Sequence, residues 1–169
     1  AFMPVFGLNN GMIPIISYNY GAQKPDRMKR TMKLGVMVGC SIMVFCLAIM
    51  QVFPGQILKI FDATDEMLLM GIPAVRIMST AFIFAGFSVT CSGMFQAVGK
   101  GVYSMIVSMA RQLFVILPVA YFLSKAMNSV NGVWAAFPIA EVFSVIISTI
   151  FLLRVYKKIV KPMESVQRD

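Results

Sequence analysis

Five long apolar runs follow one another along the chain, at residues 1–20, 32–52, 73–98, 102–124 and 133–156. The hydrocarbon core of a bilayer is about 30 Å thick, and an α-helix needs roughly 20 residues to cross it. Each run reaches that length, so each predicts a membrane-spanning helix. The runs are continuous and much longer than the roughly 10-residue alternating segments of a membrane barrel, which argues against strands. The pattern therefore predicts an all-α, polytopic transmembrane bundle of about five spans. A single lobe occupies residues 1–161 and a polar tail residues 162–169.

The connections carry their own signals. Gln23, Lys24, Pro25, Asp26 and Arg27 form a Pro-punctuated basic loop, and Lys29, Arg30 and Lys33 extend it onto the second span. Pro54 and Gly55 end that span, after which residues 56–61 read as a short interfacial piece with Ile57, Leu58, Ile60 and Phe61 able to enter the headgroup boundary. Thr64 is placed to cap a helix whose first turn holds Asp65 and Glu66, where the dipole favours acids. Gly99, Lys100 and Gly101 predict a tight turn, and residues 128–132 the last one.

Composition removes whole classes of function. The chain of 169 residues is 59% hydrophobic and 13% charged, with mean hydropathy +0.80. Soluble domains are typically about 25% charged, and a chain this short has too little interior to hide so much apolar surface. Lipid must be its main solvent. The balance of 15 Lys+Arg against 7 Asp+Glu gives a net +8. The basic residues cluster beside the apolar runs, so they report membrane topology and not a nucleic-acid footprint. With 0 histidines, His-based catalysis and most zinc and haem sites are excluded. Cys40, Cys46 and Cys91 lie within apolar runs without metal-type spacing and read as small core residues. No paired carboxylates and no nucleophile beside a base support an enzymatic reaction, so a non-enzyme with no cofactor or metal is expected.

Orientation follows from counting. If the first loop is cytoplasmic, that face holds Lys24, Arg27, Lys29, Arg30, Lys33, Lys100, Arg154, Lys157, Lys158, Lys161 and Arg168, against Lys59, Arg76 and Lys125 opposite. The positive-inside rule then places the C-terminus in the cytoplasm and the first residue near the outer face. The sequence opens inside an apolar run with no basic segment before it, which reads as a start within a longer protein and not as a signal peptide.

Small residues recur at helix-contact spacing in Gly7/Gly11, Gly35/Gly39, Ala81/Ala85 and Ser88/Ser92, as close packing in lipid requires. The first span is unusual. Pro4, Pro14, Asn9, Asn10 and Asn19 combine breakers with amides, and irregular backbone is tolerated at membrane depth only within protein or along a wet cavity. Asn9, Asn10 and Asn19 are thus candidates for a substrate path, the rival being hydrogen bonds to neighbouring helices. Ser88, Thr90, Ser92 and Gln96 give the third span a polar stripe that faces either this path or another helix, and Gln96 joins the cavity candidates. The 14 Phe and 15 Met suit adaptable apolar ligands, but equally suit lipid.

Two charges fall within spans. Arg111 and Glu141 each cost at least about 2.5–3.5 kcal/mol at mid-helix and call for a partner or a wet cavity. Counted at 1.5 Å per residue they lie roughly 13 and 21 Å from the inner ends of their spans, an offset of about 8 Å that permits a reaching or water-bridged contact. Pro138 weakens the helix just before Glu141, which makes this acid the ion-coupling candidate, with helix packing as its alternative role.

Gly11, Met12, Ile13, Pro14, Ile15, Ile16, Ser17, Tyr18, Asn19, Tyr20, Gly21 and Ala22, followed by a basic loop with Arg27, resemble the eighth helix of MATE (multidrug and toxic compound extrusion) transporters. The stretch 108–121, with Arg111, Pro118 and Tyr121, is similar to the eleventh, and 134–141, with Phe137, Pro138 and Glu141, to the start of the twelfth. The resemblance is closest to bacterial members. It implies a twelve-helix, two-lobe antiporter of the cell membrane with both ends cytoplasmic. Such a protein exports cationic or amphipathic small molecules against sodium or protons, and this chain supplies most of its C-terminal lobe. Its partners would be membrane lipid, the N-terminal lobe and the exported compound. One departure stands out: the aspartate of sodium-coupled members falls near Ala85, where there is no acid. Two other readings stay open: a flippase for lipids or lipid-linked oligosaccharides, which needs a cationic cavity, and a non-transporting assembly subunit, which needs none.

Overall fold

A computed structural model of the chain describes residues 1–127, 129 and 131–166. Its elements are helical throughout: α1 (Met3–Gly21), α2 (Pro25–Val52), α3 (Pro54–Ile60), α4 (Asp65–Ser79), α5 (Phe82–Ala97), α6 (Gly101–Met109), α7 (Leu117–Met127), α8 (Asn131–Val155) and α9 (Lys161–Val166). α6 runs into α7 through a π-helical segment, Ala110–Ile116, and α8 into α9 through a second, Tyr156–Val160. No strand occurs among the described residues.

Local chemistry sets the boundaries. Pro25 and Pro54 begin α2 and α3, where the missing N–H is no loss. The Thr64 hydroxyl accepts the Met67 N–H at 3.4 Å and caps α4 ahead of Asp65 and Glu66. Gly99 takes φ +73° in the turn to α6, a conformation that side chains with a Cβ rarely adopt. The stretch expected to be interfacial is helical, in α3, with Ile60 and Phe61 exposed at its end. The expected last turn includes residues 128 and 130, and the tail residues 167–169; these lie outside the described residues. The rest of the tail is helical, in α9.

Among the described residues, three helices are long and apolar enough to cross a membrane: Pro25–Val52, Gly101–Met127 and Gly132–Ser165. The expected third span, 73–98, is not one rod. Its helix begins at Asp65, breaks after Ser79 and resumes at Phe82 with a 52° bend, so α4 and α5 make a fourth crossing only if taken together. The break has a cause in hydroxyls. Thr80 Oγ1 donates to the Ile77 carbonyl at 2.6 Å and Ser79 Oγ to that of Arg76 at 3.1 Å. These carbonyls sit in the last turn, and the backbone tightens to Thr80 N–H on Ile77 and Ala81 N–H on Met78. The first expected span is a helix of a different composition. α1 has 19 residues, enough length, but its three asparagines leave it outside the strongly apolar set.

α5 is the central helix and packs on α1, α2 and α8. Phe95 and Met94 are fully buried in a cluster with Ile16, Met28, Val107 and Val155, while Val5, Met43 and Val89 form a second. The α2–α5 contact is a close one. A Cβ on Gly86 would lie 3.0 Å from the Cys40 Cα and 3.1 Å from the Gly39 carbonyl, and Gly35 faces the Met12 side chain. Gly7 and Gly11 depart from the expected packing role: nothing lies within 4 Å of where a Cβ on either would stand. Met3 and Tyr18 of the same helix are exposed.

Two sets of contacts define the ends of the bundle. At one, Lys29 Nζ bridges Asp26 at 3.1 Å and Glu164 at 2.8 Å, tying the start of α2, just after the first loop, to α9. Ser17 Oγ donates to the Ala97 carbonyl at 2.8 Å and so holds the Gly99 turn beside the end of α1 from which that loop leaves. At the other, Gln51 Nε2 donates to the Arg76 carbonyl at 2.9 Å and to Ser79 Oγ at 3.1 Å. The basic loops thus share one end, as the charge count requires.

Candidate functional site

Four helical elements, α1, α5, α6 with its π-helical extension, and α8, leave between them a cavity of about 270 Å³. α5 and the α6 run contribute polar side chains at one-turn spacing, which in an apolar helix produces a single polar stripe. From α5 come Ser88, Ser92 and Gln96; from α6 and its extension Ser104, Ser108 and Arg111; from α8 Ser144. α1 supplies Asn9 and Asn10, with Phe2 and Phe6 as an aromatic rim. This volume is below the roughly 300–1,000 Å³ that encloses a drug-sized ligand. A ligand of that size would overhang the lobe.

The asparagines divide. Asn9 is buried and its amide donates to the Val89 carbonyl at 2.9 Å, while its Oδ1 has no partner. It fits because residue 93 is glycine: a Cβ there would stand 2.7 Å from Asn9 Cγ. Asn10 is exposed on the cavity wall. Asn19 lies apart from the cavity, buried, with its amide turned back onto the Ile15 carbonyl at 2.8 Å. Its amide serves its own helix and not the cavity. Gln96 lines the cavity and donates to Ser104 Oγ at 3.2 Å. Thr90 leaves the stripe, bonding the Gly86 carbonyl on the α2 side of α5.

The two intramembrane charges meet directly. Arg111 Nη1 donates to Glu141 Oε1 at 2.7 Å, with the side chains 24% and 8% exposed. Arg111, carried in the π-helical segment Ala110–Ile116, reaches across the axial offset counted from the sequence. Arg111 lines the cavity; Glu141 does not, and sits behind the guanidinium. The bond is single. Arg111 Nε and Glu141 Oε2 are both buried without partners, as are Ser144 Oγ and Ser148 Oγ on the same α8 face.

Ser104, Ser108, Ser144 and Ser148 are polar residues of this region that the sequence reading passed over. Their signal was present: Glu141, Ser144 and Ser148 at i, i+3, i+7, and Ser104, Ser108 and Arg111 at i, i+4, i+7.

Comparison with known proteins places this arrangement. The sequence profile of the MatE family matches residues 1–122. The chain is 27% identical over 131 residues, 78% of its length, to the multidrug export protein MepA of Staphylococcus haemolyticus strain JCSC1435, and covers 28% of that protein. Among solved structures it superposes on the MATE multidrug transporter DinF-BH with TM-score 0.83 and 32% identity, covering 94% of this chain and 35% of that one. An inward-facing multidrug resistance MATE family transporter of the MOP superfamily shares the fold at TM-score 0.85 and 18% identity, over 97% of this chain and 37% of that one. The chain thus spans well under half the length of each of these three relatives.

Proposed function

The chain belongs to the MatE family, and from that premise we propose that it is the C-terminal lobe of an antiporter exporting cationic or amphipathic compounds by alternating access. The lobe sits in the cell membrane with its basic end and C-terminus in the cytoplasm. It faces an N-terminal lobe across the exposed side of α1. The substrate enters the cavity between them, amide and serine groups meet its polar atoms, and Phe2 and Phe6 meet its apolar surface. Exchange is for sodium or protons, with Glu141 as the carboxylate that takes the ion. No covalent step is involved.

The observation that carries this reading is a polar-lined cavity inside an apolar bundle, with Arg111 in its wall paired to the buried Glu141. Such charges are costly in lipid, and they persist where they serve a pathway. Binding that favours one of two states shifts the population between them, which is all that alternating access needs. The flippase reading is weakened because the arginine in the cavity is neutralised by Glu141, leaving little net charge for a phosphate. The assembly-subunit reading predicts no cavity, against the space between α1, α5, α6 and α8.

The test is to express the full-length protein containing this chain in a drug-sensitive host and follow efflux of a fluorescent cation. Sodium and proton gradients are imposed separately. Export driven by either supports the reading, and absence of gradient-dependent export removes it.

A further inference from the structure

The order of groups at the cavity wall matters as much as their identity. A cation in the cavity meets Arg111 first and Glu141 only behind it. The arginine is therefore not a bystander: its positive charge sits where an incoming cation would need to be.

The hold is also incomplete. A guanidinium and a carboxylate can pair through two parallel bonds, which fixes both groups strongly. Here one bond is made, and the matching Arg111 Nε and Glu141 Oε2 are left buried without partners. Oε2, Ser144 Oγ and Ser148 Oγ thus offer unsatisfied oxygens on one face of α8. Arg111 itself lies in the π-helical segment Ala110–Ile116, none of whose residues is fully buried. Such segments are irregular stretches of helix found often at functional sites, and this one lies against α8 with Arg111 only partly covered.

We propose that Arg111 is a tethered cation that occupies Glu141 in place of a transported one, and that it must swing aside before a cation from the cavity reaches the carboxylate. This rests on Glu141 being the coupling acid. Arg111 then sets cation affinity by competition: the internal guanidinium and the external ion share one carboxylate, so strengthening either weakens the other. Release of the external cation restores the Arg111–Glu141 bond, which keeps the acid from being left charged and unpaired in the empty site.

The experiment measures binding of tetraphenylphosphonium, and separately of sodium, to the purified full-length protein and its variants at fixed pH. Arg111→Gln is expected to tighten binding about tenfold, within the usual range of coupling between sites. Arg111→Met, which keeps the apolar stem, is expected to do the same and serves if the glutamine variant does not fold. Arg111→Lys keeps a charge at the carboxylate and should stay near the parent affinity. In a Glu141→Gln background, Arg111→Gln should change nothing. Unchanged or weaker binding in the neutral variants overturns the proposal, as does an equal gain without Glu141, which would mean plain repulsion in the cavity. Tightening for tetraphenylphosphonium alone identifies the competitor as the organic substrate, and for sodium alone as the coupling ion; either supports it. Parent-like binding and transport in Glu141→Gln alone refutes instead the coupling role of that acid.

Discussion

Asn9 of α1 rests against Gly93 of α5, where a Cβ would stand only 2.7 Å from the asparagine's Cγ. That absence of a side chain lets a polar amide sit buried between two helices and reach the Val89 carbonyl. Gly93→Ala should push Asn9 out of place and cost about 1–3 kcal/mol, the usual penalty of overpacking. Asn9→Ala should largely relieve it. Thermal unfolding of the single and double variants in detergent checks the coupling, and additive losses would refute it.

The glycines of α1 and α5 should behave oppositely. Gly86→Ala drives a methyl to 3.0 Å from the Cys40 backbone and should lower stability by about 1–3 kcal/mol. Gly7→Ala meets nothing within 4 Å and should be neutral for the fold. Comparing their melting temperatures decides it.

Gln51 fastens the end of α2 to the bend between α4 and α5 through Arg76 and Ser79. Gln51→Ala should cost about 1–3 kcal/mol, two ordinary hydrogen bonds, and loosen the bend. Faster amide exchange around residues 76–81 is the expected signature, with exchange elsewhere unchanged.

The Lys29 bridge to Glu164 holds α9 at the basic end. It is partly exposed, so salt should screen it. Glu164→Gln is expected to speed proteolysis of the C-terminal segment at low ionic strength and to make little difference at high salt.

Glu141→Gln keeps the shape of the side chain but loses the charge that Arg111 bonds. It leaves no carboxylate to take the coupling ion, so gradient-driven export should fall roughly tenfold or more. Export with an unaltered rate and pH profile would show that the acid serves packing alone.

The sequence reading was strongest where one physical constraint acts along the chain. Lipid demands long apolar helices, and α2, the α6–α7 run and α8 follow from that alone. The cap at Thr64, the proline starts and the Gly99 turn are likewise local, since each depends on neighbours within a turn. The break at Ser79 and Thr80 escaped because side-chain bonds to carbonyls leave no mark on hydropathy. Asn9 and Asn19 looked alike in the sequence; one meets α5 and the other its own helix.

By itself, then, the order of residues determined a helical bundle in lipid, its basic end, the rarity of its two intramembrane charges and its likeness to MATE transporters. Hydrophobic length and charge are properties of single segments, so they can be read one segment at a time. Only the packing of four elements decided which polar stripes share a cavity, that Gly7 and Gly11 face open space, and that Arg111 stands in front of Glu141. Those facts depend on helix rotation and register between residues 30 positions apart, which no local pattern encodes.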